Sequence, residues 1–370
     1  MQLNHLKLLN FRNYERAEIA FSNGVNVIYG ENGAGKTSIL EAIHYLALTK
    51  SFRAKADKHL ILKNTSMCRV QGAFVNGQGQ SLRSTIAYSL DDGKHLTKNG
   101  HKVQKFSEYI GDVPIVLLFP ADLALSQGSP QLRRRFLDVL LSQSSKLYLN
   151  SLIQYNRSLR QRNLLLQSDT VDKQLLLSWE ENLIKHGTEI ICKRRDAAAE
   201  LSEAVCQNYQ ALSSKGAEIT IRYQCNVKAE NPEMLAAAYR QMFDKKRVQE
   251  REYGATMVGP HRDDLLFLLD GQPMKIFASQ GEHKTFVISL KLAEYHHLEQ
   301  QQHQTPILLF DDIFGELDAH RIRQMLEQLS AIGQVFVTTT SRSFFDKVQQ
   351  FDTPTSYFAV ENGAVIRAEA

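Results

Sequence analysis

Residues Gly30-Glu31-Asn32-Gly33-Ala34-Gly35-Lys36-Thr37 gather three glycines, a lysine and a hydroxyl into one short stretch. A triphosphate needs many hydrogen-bond donors in a small space. Glycines at 30, 33 and 35 let successive backbone N–H groups curve round a β-phosphate, while a helix that follows presents its positive N-terminal end. Lys36 adds a mobile cation, and the Thr37 hydroxyl is suited to Mg2+, which completes the pattern G-x-x-x-x-G-K-[ST]. The chemistry expected is binding of ATP with Mg2+.

A phosphate loop leaves the reaction open, and a second site narrows it. The apolar run Ile307 to Phe310 reads as a buried parallel strand that delivers Asp311 and Asp312 at its carboxyl end, where such sheets bind ligands. Asp311 is expected to hold Mg2+ through water. Asp312 is expected to orient or deprotonate an attacking water, the positioning role that phosphoryl transfer demands. Lys36, Asp311 and Asp312 are therefore the candidate catalytic residues, and Thr37 and Asp311 the candidate metal ligands.

These residues need elements to hold them. Val25 to Tyr29 predicts a strand running into the loop, and Ser38 to Leu48, with Ile39, Ile43 and Leu46 at helical spacing, predicts a helix leaving it. From Cys68 to Val103, short runs broken at Asn76-Gly77, Asp92-Gly93 and Asn99-Gly100 predict an antiparallel meander. Beyond Pro130, apolar stripes predict two long helices, Leu132 to Gln167 and Leu175 to Leu212, joined at Ser168-Asp169-Thr170 as an antiparallel hairpin. A strand over Ile219 to Cys225, a helix from Pro232 to Arg251 and a hairpin from Leu265 to Ile276 turning at Asp270-Gly271 follow. The remainder predicts the strand at Ile307, a helix from His320 to Leu329 and a strand at Val335 to Val337 closed by Thr338-Thr339-Thr340. The first strand-loop-helix and the last α/β segment are each incomplete alone, so one sheet is expected to include both. The expected organisation is a discontinuous nucleotide lobe, 1–127 with 278–370, and an inserted helical lobe, 128–277.

An apolar fraction of 43% in 370 residues suffices for real cores. Cys68, Cys192, Cys206 and Cys225 are scattered without a C-x-x-C pair, which argues against a zinc site or a disulfide framework and for a reducing compartment. Neither a signal core nor a membrane span is visible, so a cytoplasmic location is expected. A formal charge of +4 permits a nucleic-acid partner without requiring one. The basic groups are clustered: Arg53, Lys55 and Lys58, Arg133 to Arg135, Arg160 and Arg162, Lys193 to Arg195, and Lys245 to Arg247. Each is a candidate for phosphate contacts along DNA but is more often a solvated face when taken alone, and Arg133 to Arg135 could equally stabilise the start of their own helix hairpin.

The stretch Asp311-Asp312-Ile313-Phe314-Gly315-Glu316-Leu317-Asp318 resembles the Walker B strand and D-loop of ABC-type ATPases. In that family a serine and glycines at a helix N-terminus cap the nucleotide of a second subunit, and Ser279, Gln280 and Gly281 stand where that signature belongs. Further stretches narrow the resemblance to the RecF family of bacterial recombination mediators, relatives of the SMC heads. They include Leu9-Asn10-Phe11-Arg12-Asn13-Tyr14, Phe119-Pro120-Ala121-Asp122-Leu123, Arg133-Arg134-Arg135-Phe136-Leu137-Asp138 and Gly259-Pro260-His261-Arg262-Asp263-Asp264. The resemblance implies an α/β, ABC/SMC-head-like P-loop NTPase with a mixed sheet and an inserted, largely helical lobe. It also implies an ATP-dependent homodimer, binding of single- and double-stranded DNA, RecR and RecO as partners, and a part in recombinational repair, replication and the SOS response. The sequence departs from transporter cassettes in three ways. The signature reads Ser-Gln-Gly, Asp312 stands where a glutamate is usual, and threonines replace the expected histidine, with Thr339 or Thr340 the nearest candidates. Slow, dimer-dependent hydrolysis is the expectation. A transporter cassette, an SMC-like structural ATPase and a small-molecule kinase are the competing readings. They lack, respectively, a membrane partner, long heptad arms, and a use for the signature. Arg12 either reaches the nucleotide or is a buried structural arginine, and His261-Arg262-Asp263 is either an internal turn or a contact across a dimer.

Overall fold

The computed structural model describes residues 1–170, 172–213, 216–229, 231–313, 333–340, 354–361 and 363–368. The expected helix from His320 to Leu329 and the D-loop residues Gly315 to Asp318 lie outside them. The chain forms two compact units, Met1–Leu123 with Lys284–Ala370, and Ala124–His283.

The first unit opens with two strands that pattern reading left out, β1 (Gln2–Phe11) and β2 (Tyr14–Ala20), followed by β3 (Val25–Tyr29) and α1 (Lys36–Leu48). The meander follows as β4 (Met67–Val75), β5 (Ser81–Ser89), β6 (Gly93–Lys98) and β7 (His101–Lys102), then α2 (Phe106–Tyr109) and β8 (Ile115–Leu118). One antiparallel sheet has the order β2-β1-β4-β5-β6-β7, so the N-terminal hairpin joins the expected meander. Its inner face is apolar, with Leu6, Leu8, Val70, Ile86 and Leu96 buried. Helix α1 buries Ile39, Leu40, Ile43 and Leu46 in the same core, which also takes in Ile28, Leu309, Phe336 and Phe358 of the second sheet. This explains why almost every α1 residue is buried and why no single apolar stripe marks it.

The second unit begins with α3 (Ala124–Gln127), α4 (Pro130–Ser144), α5 (Lys146–Gln167) and α6 (Lys173–Leu212). The first expected long helix is thus two helices. Ser145 is extended and accepts the Tyr148 N–H at 3.2 Å, capping α5 just as α4 ends. Asp172 caps α6 in the same way. β9 (Ile219–Gln224), α7 (Pro232–Tyr253), β10 (Asp264–Leu269) and β11 (Gln272–Pro273) follow, and the strands pair as β11-β10-β9. The expected hairpin turns at Asp270-Gly271, but its return strand is two residues long, and Met274–Phe277 form the single-turn helix α8 instead of strand.

Helix α9 (Gln280–Gln302) leads to β12 (Ile307–Phe310), β13 (Val335–Thr339), β14 (Thr355–Glu361) and β15 (Ala364–Ala368). These complete a sheet ordered β15-β14-β3-β13-β12-β8, in which β14, β3, β13, β12 and β8 pair in parallel and β15 closes the edge antiparallel. The first and last segments of the unit therefore share one sheet.

Candidate functional site

The loop between β3 and α1 can follow its course only with glycine at key points. Gly30 has φ +154°, and a Cβ there would lie 2.3 Å from the Val360 carbonyl oxygen. Gly35, at φ +122°, would drive a Cβ to 2.7 Å from the Tyr14 hydroxyl. The loop is also tied from outside: Asn13 Nδ2 donates to Ala34 O at 2.8 Å, Tyr14 Oη to Gly35 O at 3.0 Å, and Gly363 N to Ala34 O at 3.3 Å. Glu31, Asn32 and Gly33 face solvent at the crest.

Lys36 folds back over this loop, its Nζ donating to Gly30 O and Glu31 O at 2.8 Å each. Burial lowers its pKa, against the attraction of Asp312 and Asp311. At the base, Thr37 Oγ1 donates to Asp311 Oδ1 at 2.8 Å. Burial raises the Asp311 pKa, opposed by its bonds from Thr37 and Thr338 and by the charge of Arg53. Lys36, Thr37, Asp311 and Asp312 are thus brought to one end of the parallel sheet. Asp312 is exposed and left-handed, at φ 49°, so the chain turns sharply as β12 ends.

Among the three threonines, Thr338 bonds both acids of the strand end. Its hydroxyl donates to Asp311 Oδ1 at 2.9 Å and accepts the Asp312 N–H at 2.8 Å. β13 runs through Thr339, which is buried, while Thr340 is exposed.

Ser279, Gln280 and Gly281 belong to the second unit, at the start of α9. Ser279 Oγ donates to Glu282 Oε2 at 2.8 Å and accepts the Glu282 N–H at 3.3 Å, while the Ser279 N–H donates to that carboxylate at 2.7 Å. This is a capping box, and it leaves Ser279 and Gln280 exposed at a helix N-terminus.

Most of the arginines in the basic clusters are bonded within the second unit. Arg133 forms a two-pronged pair with Asp264, both bonds 2.8 Å, and Arg134 donates to Asp263 O. Arg162 is fully buried, bonds Glu180, Glu250 and Thr256, and stacks 4.5 Å from the Phe243 ring centre. Arg194 pairs with Asp138 at 2.6 Å and donates to Pro260 O, Arg195 donates to Ala229 O, and Arg247 joins Glu180 and Asp244. Arg135, Arg160, Lys193 and Lys245 remain exposed there, as do Arg53, Lys55 and Lys58 in the first unit. The stretch from Gly259 to Asp264 is an internal hub. His261 bonds Tyr155 Oη at 2.6 Å and Thr256 O at 3.0 Å, and Asp263 accepts from Tyr223 and the Asn226 N–H. Arg12 makes two bonds to the buried Glu41 carboxylate, of 2.6 and 2.7 Å, and one to His59 O.

The model of the RecF/RecN/SMC N-terminal domain family matches residues 2–364. "DNA replication and repair protein RecF" of Streptococcus suis is 38% identical over the full length of both chains, and its namesake from Salinibacter ruber is 34% identical over 98% of this chain and 90% of that one. The chain belongs to the RecF family. A solved structure described as the recombination mediator protein RecF-ATP in the RecFOR pathway superposes with a TM-score of 0.92 at 28% identity, covering 100% of this chain and 98% of that one. An Smc head domain from Pyrococcus furiosus, at TM-score 0.57 and 18% identity, shares the fold, covering 100% of this chain and 96% of that one. The ABC/SMC-head-like α/β architecture expected from the RecF resemblance is therefore the one this chain adopts.

Proposed function

We propose that this chain is an ATP-dependent DNA-binding protein of replication-fork maintenance and recombinational repair, in which ATP closes two copies around the nucleotide and hydrolysis releases them. The observation that carries the reading is the convergence of Lys36, Thr37, Asp311 and Asp312 on one sheet end, with Lys36 Nζ already seated among loop carbonyls. Residues 30–37 would cradle the phosphates, and Thr37 and Asp311 would hold Mg2+. The donor set fits that ion, being a hydroxyl and a carboxylate at hydrogen-bond distance. When bound, Mg2+ neutralises charge on the phosphates.

The chain's own residues have distinct parts. Lys36 exchanges its carbonyl partners for phosphate oxygens, Asp312 orients water, and Ser279, Gln280 and Gly281 of one copy cap the nucleotide held by the other. Asp312 is one methylene shorter than a glutamate, which favours slow turnover. Nucleotide bridging two copies favours the closed dimer only by its differential affinity for that state. The names of the relatives, DNA replication and repair protein RecF, and the RecFOR setting of the solved RecF-ATP structure support DNA as the target and RecR and RecO as partners.

Sizing the protein with and without ATP–Mg2+ and duplex DNA tests this. Wild type is expected to shift to a dimer with ATP, and both Lys36→Arg and Ser279→Arg are expected to stay monomeric. A wild-type protein that ATP leaves monomeric overturns the reading.

A further inference from the structure

The antiparallel sheet packs one face on α1 and presents the other to solvent. On the outer face of strands β2 to β7 stand Arg16, Lys7, Arg69, Arg83 and Lys102, with His5 and His95, against a single carboxylate, Glu18. Glu18 is taken by Lys7 at 2.6 Å. With neutral imidazoles the five cations and one carboxylate leave this face at +4, the formal charge of the entire chain. Among the described residues, Arg69, Arg83 and Lys102 pair with no carboxylate.

Register shows how the charges are set out. Leu9 lies opposite both Arg16 and Arg69, so two guanidinium groups flank one apolar residue. Ala73 separates His5 from Arg83, Ala87 separates Arg69 from His95, and Thr97 stands opposite Lys102. Exposed antiparallel sheets ordinarily gain from opposite charges set across strands, and like charges at such spacing are unfavourable. Here the cross-strand neighbours of the cations are small or neutral, apart from Glu18. The result is an extended array of long basic side chains about 24 Å across its six strands. A small anion needs a concave cradle, whereas a rigid rod of regularly spaced phosphates is met by cations spread over an extended array.

We infer that the outer face of this sheet is a docking surface for the backbone of double-stranded DNA, with Arg69, Arg83 and Lys102 as its unpaired phosphate contacts. The inference rests on the DNA reading proposed above and replaces the buried arginines of the second unit as the place where duplex is held. Contacts of this kind are independent of base sequence and weaken steeply with salt.

The experiment is equilibrium binding of a 30-base-pair duplex in a salt series, using wild type, a triple variant R69Q/R83Q/K102Q, and a control triple R160Q/K193Q/K245Q on the second unit. All six positions are exposed, and nucleotide titration with thermal melting verifies that each variant is folded. The sheet variant is expected to bind at least tenfold more weakly near 0.15 M salt. Its slope of log affinity against log salt is expected to be shallower by about 3, since each phosphate contact contributes about 0.9. Unchanged affinity and slope in the sheet variant, or loss confined to the control triple, overturn the docking surface while leaving DNA binding standing. Loss of binding to poly-glutamate without loss for duplex overturns it in favour of an acidic protein partner. Absence of duplex binding by wild type overturns the DNA reading itself.

Discussion

Thr37 and Asp311, 274 positions apart in the chain, share a hydroxyl-to-carboxylate hydrogen bond of 2.8 Å. The bond joins the start of α1 to the end of β12 and brings together the hydroxyl and carboxylate proposed to hold Mg2+. Thr338 bonds the same carboxylate oxygen, so Asp311 is oriented from two sides.

Removing the Thr37 hydroxyl therefore acts through Mg2+. Thr37→Val is expected to lower ATP affinity at least tenfold with Mg2+ present, about 1.4 kcal/mol, and less than twofold with EDTA. Thr37→Ser is expected to retain most of the Mg2+-dependent affinity. Fluorescent-nucleotide titration measures both.

Arg12→Ala separates a part in stability from a part in nucleotide binding. Its partner Glu41 is fully buried and also accepts from Ser51, so Arg12→Ala strands a buried carboxylate with one hydroxyl. Because Arg12 is itself 24% exposed, the expected loss is about 2–4 kcal/mol, below the upper range for breaking fully buried pairs. Urea denaturation reports the loss, and nucleotide affinity at low temperature is expected to stay within twofold.

The phosphate loop, its flanking strand and helix, the meander and the acid-bearing strand were all legible in the sequence because each is specified locally, by glycines, turn dipeptides or a short apolar run. What escaped was specified at a distance. β1 alternates Leu6, Lys7 and Leu8, but the register shifts between Leu3 and His5 and Asn10 turns left-handed, which blurs the period at both ends. The partners of the arginines are also set at a distance. A basic run reads as a solvated face until its acids are known, and Arg162 finds them at Glu180 and Glu250, on other helices. Ser145 was a readable cap within Ser-Gln-Ser-Ser, passed over because the apolar stripe continues beyond it.

At the signature, capping and nucleotide contact separate by substitution. Aspartate caps helices as well as serine does, so Ser279→Asp is expected to keep the melting temperature within about 2 °C of wild type, a change of a few tenths of a kcal/mol. Its added charge faces a triphosphate, so ATP-driven dimerisation in a sizing experiment is expected to be lost.

Arg162→Met leaves Glu180 and Glu250 without their shared guanidinium, and breaking such a buried network typically costs about 3–5 kcal/mol. Chemical denaturation is expected to show that loss. Duplex affinity of the folded protein is expected to be unchanged, which separates a core arginine from a phosphate contact.

His261 makes stability depend on pH. Burial pushes its pKa down to about 4 from 6.5, so the unfolded chain takes up a proton that the folded chain refuses. The stability due to neutral His261 is fully present above pH 6.5 and drains away as pH falls toward 4, by about 3 kcal/mol in all. His261→Gln lacks this dependence, so the gap between wild type and variant in urea unfolding is expected to narrow steadily between pH 6.5 and 4.5.

The phosphate loop is braced by Asn13 and Tyr14 on one side and by Val360 and Gly363 on the other. During synthesis, Lys36 and Thr37 leave the ribosome long before β14 and β15 exist to seat the loop. A nascent chain therefore carries the motif with only one side of its mould in place.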